Sequence, residues 1–177
     1  MQAGIDGMYL AGEANVAEIT PEDDLAPEVK ATIREFTARG LEMADQMIAA
    51  YGKPVNEYNP VDRWAMIGLL FGELCALGQT TDFLTSDNPA AFGWLRGTTV
   101  AIAHKKLKYA LPQSMDIAEL YINHSGAKEN PDLNILMHTG VEAYFLLDKP
   151  EELAEKLKIF FADTQERVEK ARREWGK

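Results

Sequence analysis

The sequence predicts an all-α protein, a single-domain bundle of about six helices with an extended or partly helical acidic N-terminal arm. Three observations favour this fold class. All eight prolines lie at expected helix boundaries. Apolar residues recur at helical spacing. No segment shows a useful length of the period-two alternation that is typical of a half-buried strand.

The distribution of charge divides the chain. We expect an acidic arm over residues 1–25 and a helical bundle domain over 26–177. The first 29 residues hold seven acidic side chains and no Lys, Arg or His, whereas the remainder holds 21 acidic against 18 basic side chains. Charge divided so unevenly favours an arm that contacts something positive.

Polar residues beside prolines mark the expected helix starts. In the segment 59–62, Asn59 can cap free amides while Pro60 takes the first helical position. Asp148 followed by Glu151 resembles a capping box. The Asn-Pro or Thr-Pro pattern also occurs at Thr20-Pro21, Asn88-Pro89 and Asn130-Pro131.

Glycines and one proline mark the expected helix ends. Gly52, Gly78 and Gly126 each follow an apolar pattern, and Pro112 is expected to end the helix before it. With these boundaries, the sequence predicts helices over 27–51, 61–78, 89–110, 115–125, 131–147 and 150–175.

Four of these helices have informative faces. The first has a heptad stripe in which Gly40 allows close approach of a neighbour: Val29, Ile33, Phe36, Gly40, Met43, Met47 and Ala50. The last has a stripe along one side: Leu153, Leu157, Phe160, Thr164, Val168, Ala171 and Trp175. Helices 61–78 and 131–147 are apolar almost all round, as central helices of a bundle are.

Composition limits the function classes. The formal net charge of −10 opposes binding to nucleic acid. Cys75 is the only cysteine, so no internal disulfide forms and a reducing compartment is favoured. The longest apolar run, 64–77, is interrupted by Glu73 and is too short to span a bilayer. We therefore expect a cytoplasmic protein with no signal peptide, membrane or cofactor.

A histidine and a carboxylate on one predicted helix are a candidate metal site. His138 and Glu142 lie four residues apart in helix 131–147 and share a face. Such a pair can supply two ligands to a carboxylate-bridged metal. The alternative is a buried histidine that is hydrogen-bonded to a nearby carboxylate.

Two acidic strings supply a second candidate metal site. Residues 151–155 contain Glu151, Glu152 and Glu155 as E-E-x-x-E, and residues 42–45 read E-x-x-D. The strings resemble the magnesium signature of the all-α nucleoside triphosphate pyrophosphohydrolases, although here they come in the reverse order. The resemblance implies Mg²⁺ bound by clustered carboxylates. The alternative is that acids gather in a first turn because a helix N-terminus is positive.

One basic cluster lies in the middle of the acidic chain. It comprises His104, Lys105, Lys106 and Lys108, at the end of helix 89–110, where the helix dipole also favours cations. If the cluster is functional, it can receive a phosphate or, more economically, an acidic segment. The acids near the N-terminus are the obvious candidates, three from the arm and one from the start of the first predicted helix: Glu22, Asp23, Asp24 and Glu28.

Two functions from different classes follow. The first is a non-enzymatic module that binds protein: an assembly component, including a viral one, an adaptor, an inhibitor or an immunity-type protein. Its partner is a second copy of the chain or a protein with a basic surface. The alternative is a metal-dependent hydrolase that uses the carboxylates or the histidine named above. No G-x-S-x-G elbow or phosphate loop supports other chemistry.

Overall fold

The structure is a computed structural model that describes residues 25–85, 87–124 and 130–175. Within these ranges the backbone forms six α-helices and no strand, which confirms the all-α prediction. The helices are α1 Pro27–Tyr51, α2 Pro60–Thr80, α3 Pro89–Ala101, α4 Leu111–His124, α5 Pro131–Tyr144 and α6 Pro150–Trp175. A 3₁₀ turn, Val55–Glu57, lies between α1 and α2, and a π-helical turn, Ile102–Lys106, follows α3. All six helices contribute side chains to one buried apolar cluster.

The central helix is α2. Every residue from Ala65 to Gly78 is buried, so the prediction of a helix enclosed on all sides is confirmed here. The expected cap is also present. Asn59 Oδ1 accepts a hydrogen bond from the backbone N–H of Asp62 at 2.8 Å, and Asp62 Oδ2 accepts one from the N–H of Asn59 at 3.2 Å.

Glycines allow α2 and α5 to cross with their backbones in contact. A Cβ added to Gly72 would collide with the carbonyl of Met137, and one added to Gly140 would collide with the carbonyl of Leu69. On α5 the buried residues lie on one face: Leu133, Leu136, Met137, Gly140 and Ala143. Ile135 is 44% exposed, so the prediction that helix 131–147 is enclosed all round is wrong. One face of α5 packs on α2, and Ile135 lies on the other.

The stripe of α1 faces the core. Gly40, Met43 and Met47 are buried. A Cβ added to Gly40 would lie 2.7 Å from Leu74 Cδ2, which confirms the close approach expected at this glycine. Gly52 ends the helix with a φ of 74°, a left-handed conformation that favours glycine.

The end of α3 differs from the prediction of one helix over 89–110. The α-helix stops at Ala101 and becomes the π-helical turn, in which the N–H of Leu107 donates to the carbonyl of Ile102 at 3.1 Å. Lys108 then adopts a φ of 63°. Pro112 lies in the first turn of α4, so the expectation that it ends the preceding helix is wrong. Proline is tolerated there because a first-turn amide needs no acceptor within the helix.

Other boundaries move by a few residues. Helix α2 continues past Gly78 to Thr80, and α5 ends at Tyr144. Asn88 and Asn130 precede their helices as predicted, but neither side chain makes a cap hydrogen bond. The predicted signals at Thr20 and Gly126 lie outside the described residues.

Candidate functional site

A groove of about 640 Å³ lies between the C-terminal end of α1 and the N-terminal half of α6. Its lining residues on α6 recur every three or four positions, so they form one face of that helix. The groove is lined by Ala50, Tyr51, Glu151, Ala154, Glu155, Lys158, Phe161, Ala162 and Gln165. Three of these are alanines, whose small side chains leave room between the two helices.

Two stacked aromatic rings form part of the groove wall. The ring centroids of Tyr51 and Phe161 lie 4.0 Å apart, with 25° between the ring planes. The ring of Tyr58 meets that of Tyr51 edge-on, with 5.4 Å between the ring centroids. Burial, the nearby charge of Asp62 and a hydrogen bond to that carboxylate raise the pKa of Tyr51 to about 12. The wall is therefore uncharged at neutral pH and held in place by its neighbours.

A buried carboxylate lies next to this wall. Asp62 is 1% exposed, and its Oδ2 accepts hydrogen bonds from Lys53 Nζ at 2.6 Å and from the N–H of Asn59. Its Oδ1 accepts hydrogen bonds from the Tyr51 hydroxyl at 3.2 Å and from Gln165 Nε2 at 3.0 Å. Burial alone would raise the pKa of Asp62, but these hydrogen bonds, that of Lys53 foremost, lower it. The charged carboxylate therefore ties the ends of α1 and α2 to α6.

The rim of the groove carries three charged side chains that have no partner among the described residues. Glu151, Glu155 and Lys158 are exposed, and none of them makes an ion pair or side-chain hydrogen bond with a described residue. The neighbouring Glu152 differs, because it pairs with Lys149 at 3.6 Å. The rim charges are therefore available to a partner.

The structure does not bring the two candidate metal sites together. Glu151 and Glu155 both line the groove on α6. His138 and Glu142 lie on α5, where Glu142 pairs with Lys156 at 2.6 Å. Asp45 of the E-x-x-D string pairs with a lysine from another helix. Among the His, Cys, Asp and Glu side chains of the described ranges, no three are grouped so that they can hold a metal ion.

The basic cluster 104–108 lies on and just after the π-helical turn. Lys106 Nζ is 2.6 Å from Asp45 Oδ2, so this charge is neutralised within the chain. His104 Nδ1 lies 2.8 Å from the carbonyl oxygen of Tyr109, and Lys108 Nζ donates to the carbonyl of Lys105 at 2.8 Å. The ring of His104 and the side chains of Lys105 and Lys108 are exposed.

Of the four N-terminal acids named as candidates, the structure describes only one. Glu28 is exposed in the first turn of α1. Glu22, Asp23 and Asp24 lie outside the described residues, and so does all of the predicted arm except Leu25.

Sequence reasoning missed three residues of the groove region. The first is Phe161. The sequence pattern assigned Phe160 to the apolar stripe of α6, but Phe161 is the phenylalanine that is buried there, together with Leu153 and Leu157. Sequence reasoning also gave no role to Tyr51 or Gln165. Aromatic residues at both 51 and 161 were visible, but no spacing rule connects two residues so far apart in the chain. Their contact depends on how α6 folds back on the end of α1.

None of the described helices combines the length and the apolar character that crossing a bilayer requires. Residues 36–168 match the family model Imm48, which is described as Immunity protein 48. The matched residues include every residue that lines the groove and begin after the acids of the arm. No curated protein and no solved structure matches the chain.

Proposed function

The chain belongs to the Imm48 family of immunity proteins, and from that premise we propose that it binds a toxin protein and blocks it without catalysing a reaction itself. The observation that carries this proposal is the extent of the family match. It runs from within α1 to within α6 and so covers most of the bundle. The function is therefore assigned to the folded body of the chain.

The electrostatics of the chain support a partner with a positive surface. The net charge of −10 attracts such a protein over long distances and speeds its association. Several charges of the bundle are already paired internally, including Asp62 with Lys53 and Asp45 with Lys106. The charges that remain unpaired at the surface are the ones that a partner can contact.

A titration distinguishes binding from catalysis. The toxin would be mixed with increasing amounts of the purified chain, and its residual activity would be measured. Blocking by a complex requires about one chain per toxin molecule, whereas an enzyme would protect at far lower ratios. Size-exclusion chromatography should show the complex directly. Two soluble proteins that elute separately, with the toxin still active, would refute the proposal.

We also propose a role for the acidic arm. Its acids would contact either the exposed cations Lys105 and Lys108 of a second copy or a basic surface of the toxin. Exposed ion pairs contribute at most about 1 kcal/mol each, so several must act together. The variant that tests this combines four substitutions: Glu22→Gln, Asp23→Asn, Asp24→Asn and Glu28→Gln.

The arm variant should associate more weakly than the natural chain, and the difference should be larger at low salt because salt screens exposed charges. Sedimentation would report self-association, and calorimetry would report toxin binding. Deletion of residues 1–25 provides a second measurement of the same effect. If neither the mass in solution nor toxin binding changes, the arm has no role in association, and the function of the bundle is unaffected by that result.

A further inference from the structure

We propose that the groove between α1 and α6 receives an arginine side chain of the partner protein. This inference rests on the proposed function, because it names a part of the surface that the toxin contacts. The groove combines unpaired carboxylates with an aromatic wall, and an arginine guanidinium complements both.

The carboxylates are the first part of the argument. Glu151 and Glu155 lie four residues apart on one face of α6, and both line the groove without a partner among the described residues. Glu152 lies between them in sequence, is absent from the lining and pairs with Lys149. The two acids that face the groove are thus the ones left free to bind a cation.

The aromatic wall is the second part. Tyr51 is partly exposed in the groove, and its ring is held by the stack on Phe161 and by the hydrogen bond to Asp62. A cation over a tyrosine ring is attracted by the ring's quadrupole. The planar guanidinium of arginine can stack on such a ring while its N–H groups donate to a carboxylate, which the ammonium of lysine cannot do.

Lys158 adds a positive charge to the groove lining, and this charge opposes cation binding. It lies on the same face of α6, one turn beyond Glu155, and within the described ranges it also makes no ion pair. The lining therefore carries two negative charges and one positive charge. An arginine would bind near Glu151 and Glu155 and would be weakened by Lys158, so removal of Lys158 should strengthen binding.

The chain's own N-terminal segment is a poor occupant of the groove. The first 29 residues contain seven acids and no basic residue, so they are repelled by the two carboxylates. A second copy of the chain is less favourable than a basic partner because each copy carries a net charge of −10. A foreign protein that presents an arginine fits the charges best.

The first experiment uses a small probe on the full chain. N-acetyl-arginine amide and its neutral isostere N-acetyl-citrulline amide would be titrated while backbone amide NMR shifts are recorded. We expect the shifts from arginine to concentrate at Ala50, Ala154 and Ala162, with citrulline at least about fivefold weaker. Equal binding of the two probes, or shifts spread over the molecule, would overturn the inference. Tighter binding of N-acetyl-lysine amide would overturn the choice of arginine.

Substitutions in the groove then test whether the toxin binds there. Glu151→Gln combined with Glu155→Gln should weaken binding of both the arginine probe and the toxin by about fivefold or more, whereas Lys158→Gln should strengthen both. Glu152→Gln is the matched control and should change neither. Thermal unfolding of each variant checks that the fold is intact, since exposed unpaired acids contribute little to stability.

The outcomes separate this inference from the proposed function. If the natural chain and the double variant bind the toxin equally well, the groove is not the contact and the function stands. If the natural chain does not bind the toxin at all, the proposed function fails, whatever the arginine probe does. A mass increase in solution that the double variant abolishes would identify a second copy as the occupant and overturn the foreign arginine.

Discussion

Gly72 and Gly140 lie opposite each other where α2 crosses α5, so close that a Cβ on Gly72 would lie 3.0 Å from the Cα of Gly140. The backbone of each helix occupies the space that a side chain on the other would need. Because α2 is the buried centre of the bundle, this crossing positions α5 on the core. The core in turn supports the helices that form the groove.

Replacement of Gly140 by alanine should therefore destabilise the protein. The new methyl group has no room against the backbone of Leu69, so the helices must separate. We expect a loss of about 3 kcal/mol in the free energy of unfolding, measured by urea denaturation. Gly97 is the matched control, since it is exposed on α3 and has nothing within 4 Å of an added Cβ. Gly97→Ala should be neutral or stabilising by up to about 1 kcal/mol. A similar loss of stability in both variants would contradict the close contact between the backbones of α2 and α5.

Asp62→Asn should remove a charged centre from the interior. The carboxylate accepts a hydrogen bond from Lys53 on one oxygen and from Gln165 on the other. We expect the variant to lose about 2–3 kcal/mol at neutral pH, because the charged hydrogen bond with Lys53 is lost and the new amide NH₂ group is placed next to another donor. Asp45→Asn, which breaks an exposed pair with Lys106, should cost less than about 1 kcal/mol. Equal losses of stability in the two variants would contradict a special role for the hydrogen bonds to Asp62.

Asp62 should also make the free energy of unfolding decrease as the pH becomes acidic. Hydrogen bonds outweigh burial and lower the pKa of Asp62 in the folded state. A lowered folded pKa contributes stability above the ordinary pKa of the carboxyl, and this contribution is lost as the pH falls through the folded value. Urea denaturation at a series of acidic pH values should show a steeper loss for the natural chain than for Asp62→Asn. If the free energy of unfolding fell equally steeply with pH in both proteins, the lowered pKa of Asp62 would be contradicted.

Glu73 should have the opposite effect on pH dependence. Its side chain is fully buried in α2, and neither carboxyl oxygen has a hydrogen-bond partner in the part of the chain that the structure describes. Burial raises the pKa of Glu73 well above its ordinary value. The protonated form therefore contributes stability at low pH, and this contribution is lost as the pH rises through the folded pKa. Glu73→Gln should gain stability relative to the natural chain as the pH is raised from about 5 to about 8. A constant difference over that range would contradict the prediction.

Local sequence signals identified the helices because their causes are local. The Asn59 cap depends on Asp62, three residues away, and the end of α1 depends on Gly52 alone. The π-helical turn after Ala101 was not predicted, because no residue type there marks a change in hydrogen-bond spacing. The helix boundary at Pro112 was misread for a related reason: proline is common both after a helix and in its first turn.

The candidate site was harder to predict because it is made by distant parts of the chain. Glu151 and Glu155 form a recognisable acidic string in the sequence, but the groove that they line also includes Tyr51 of α1, which is about 100 residues away in the chain. Glu152 pairs with Lys149, although Lys156 lies four residues after Glu152 on the same helix and instead pairs with Glu142 of α5. Sequence shows which charges exist on a helix, and tertiary packing decides which of them remain free.

The two adjacent phenylalanines of α6 provide a test of that packing. Phe161 is 3% exposed and stacks on Tyr51, whereas Phe160 is only partly buried. Phe161→Ala should therefore lose about 3–4 kcal/mol in the free energy of unfolding, and Phe160→Ala should lose clearly less. Urea denaturation of both variants measures the difference. If Phe160→Ala were the more damaging change, α6 would be rotated relative to α1, and the groove with its aromatic wall would not exist as described.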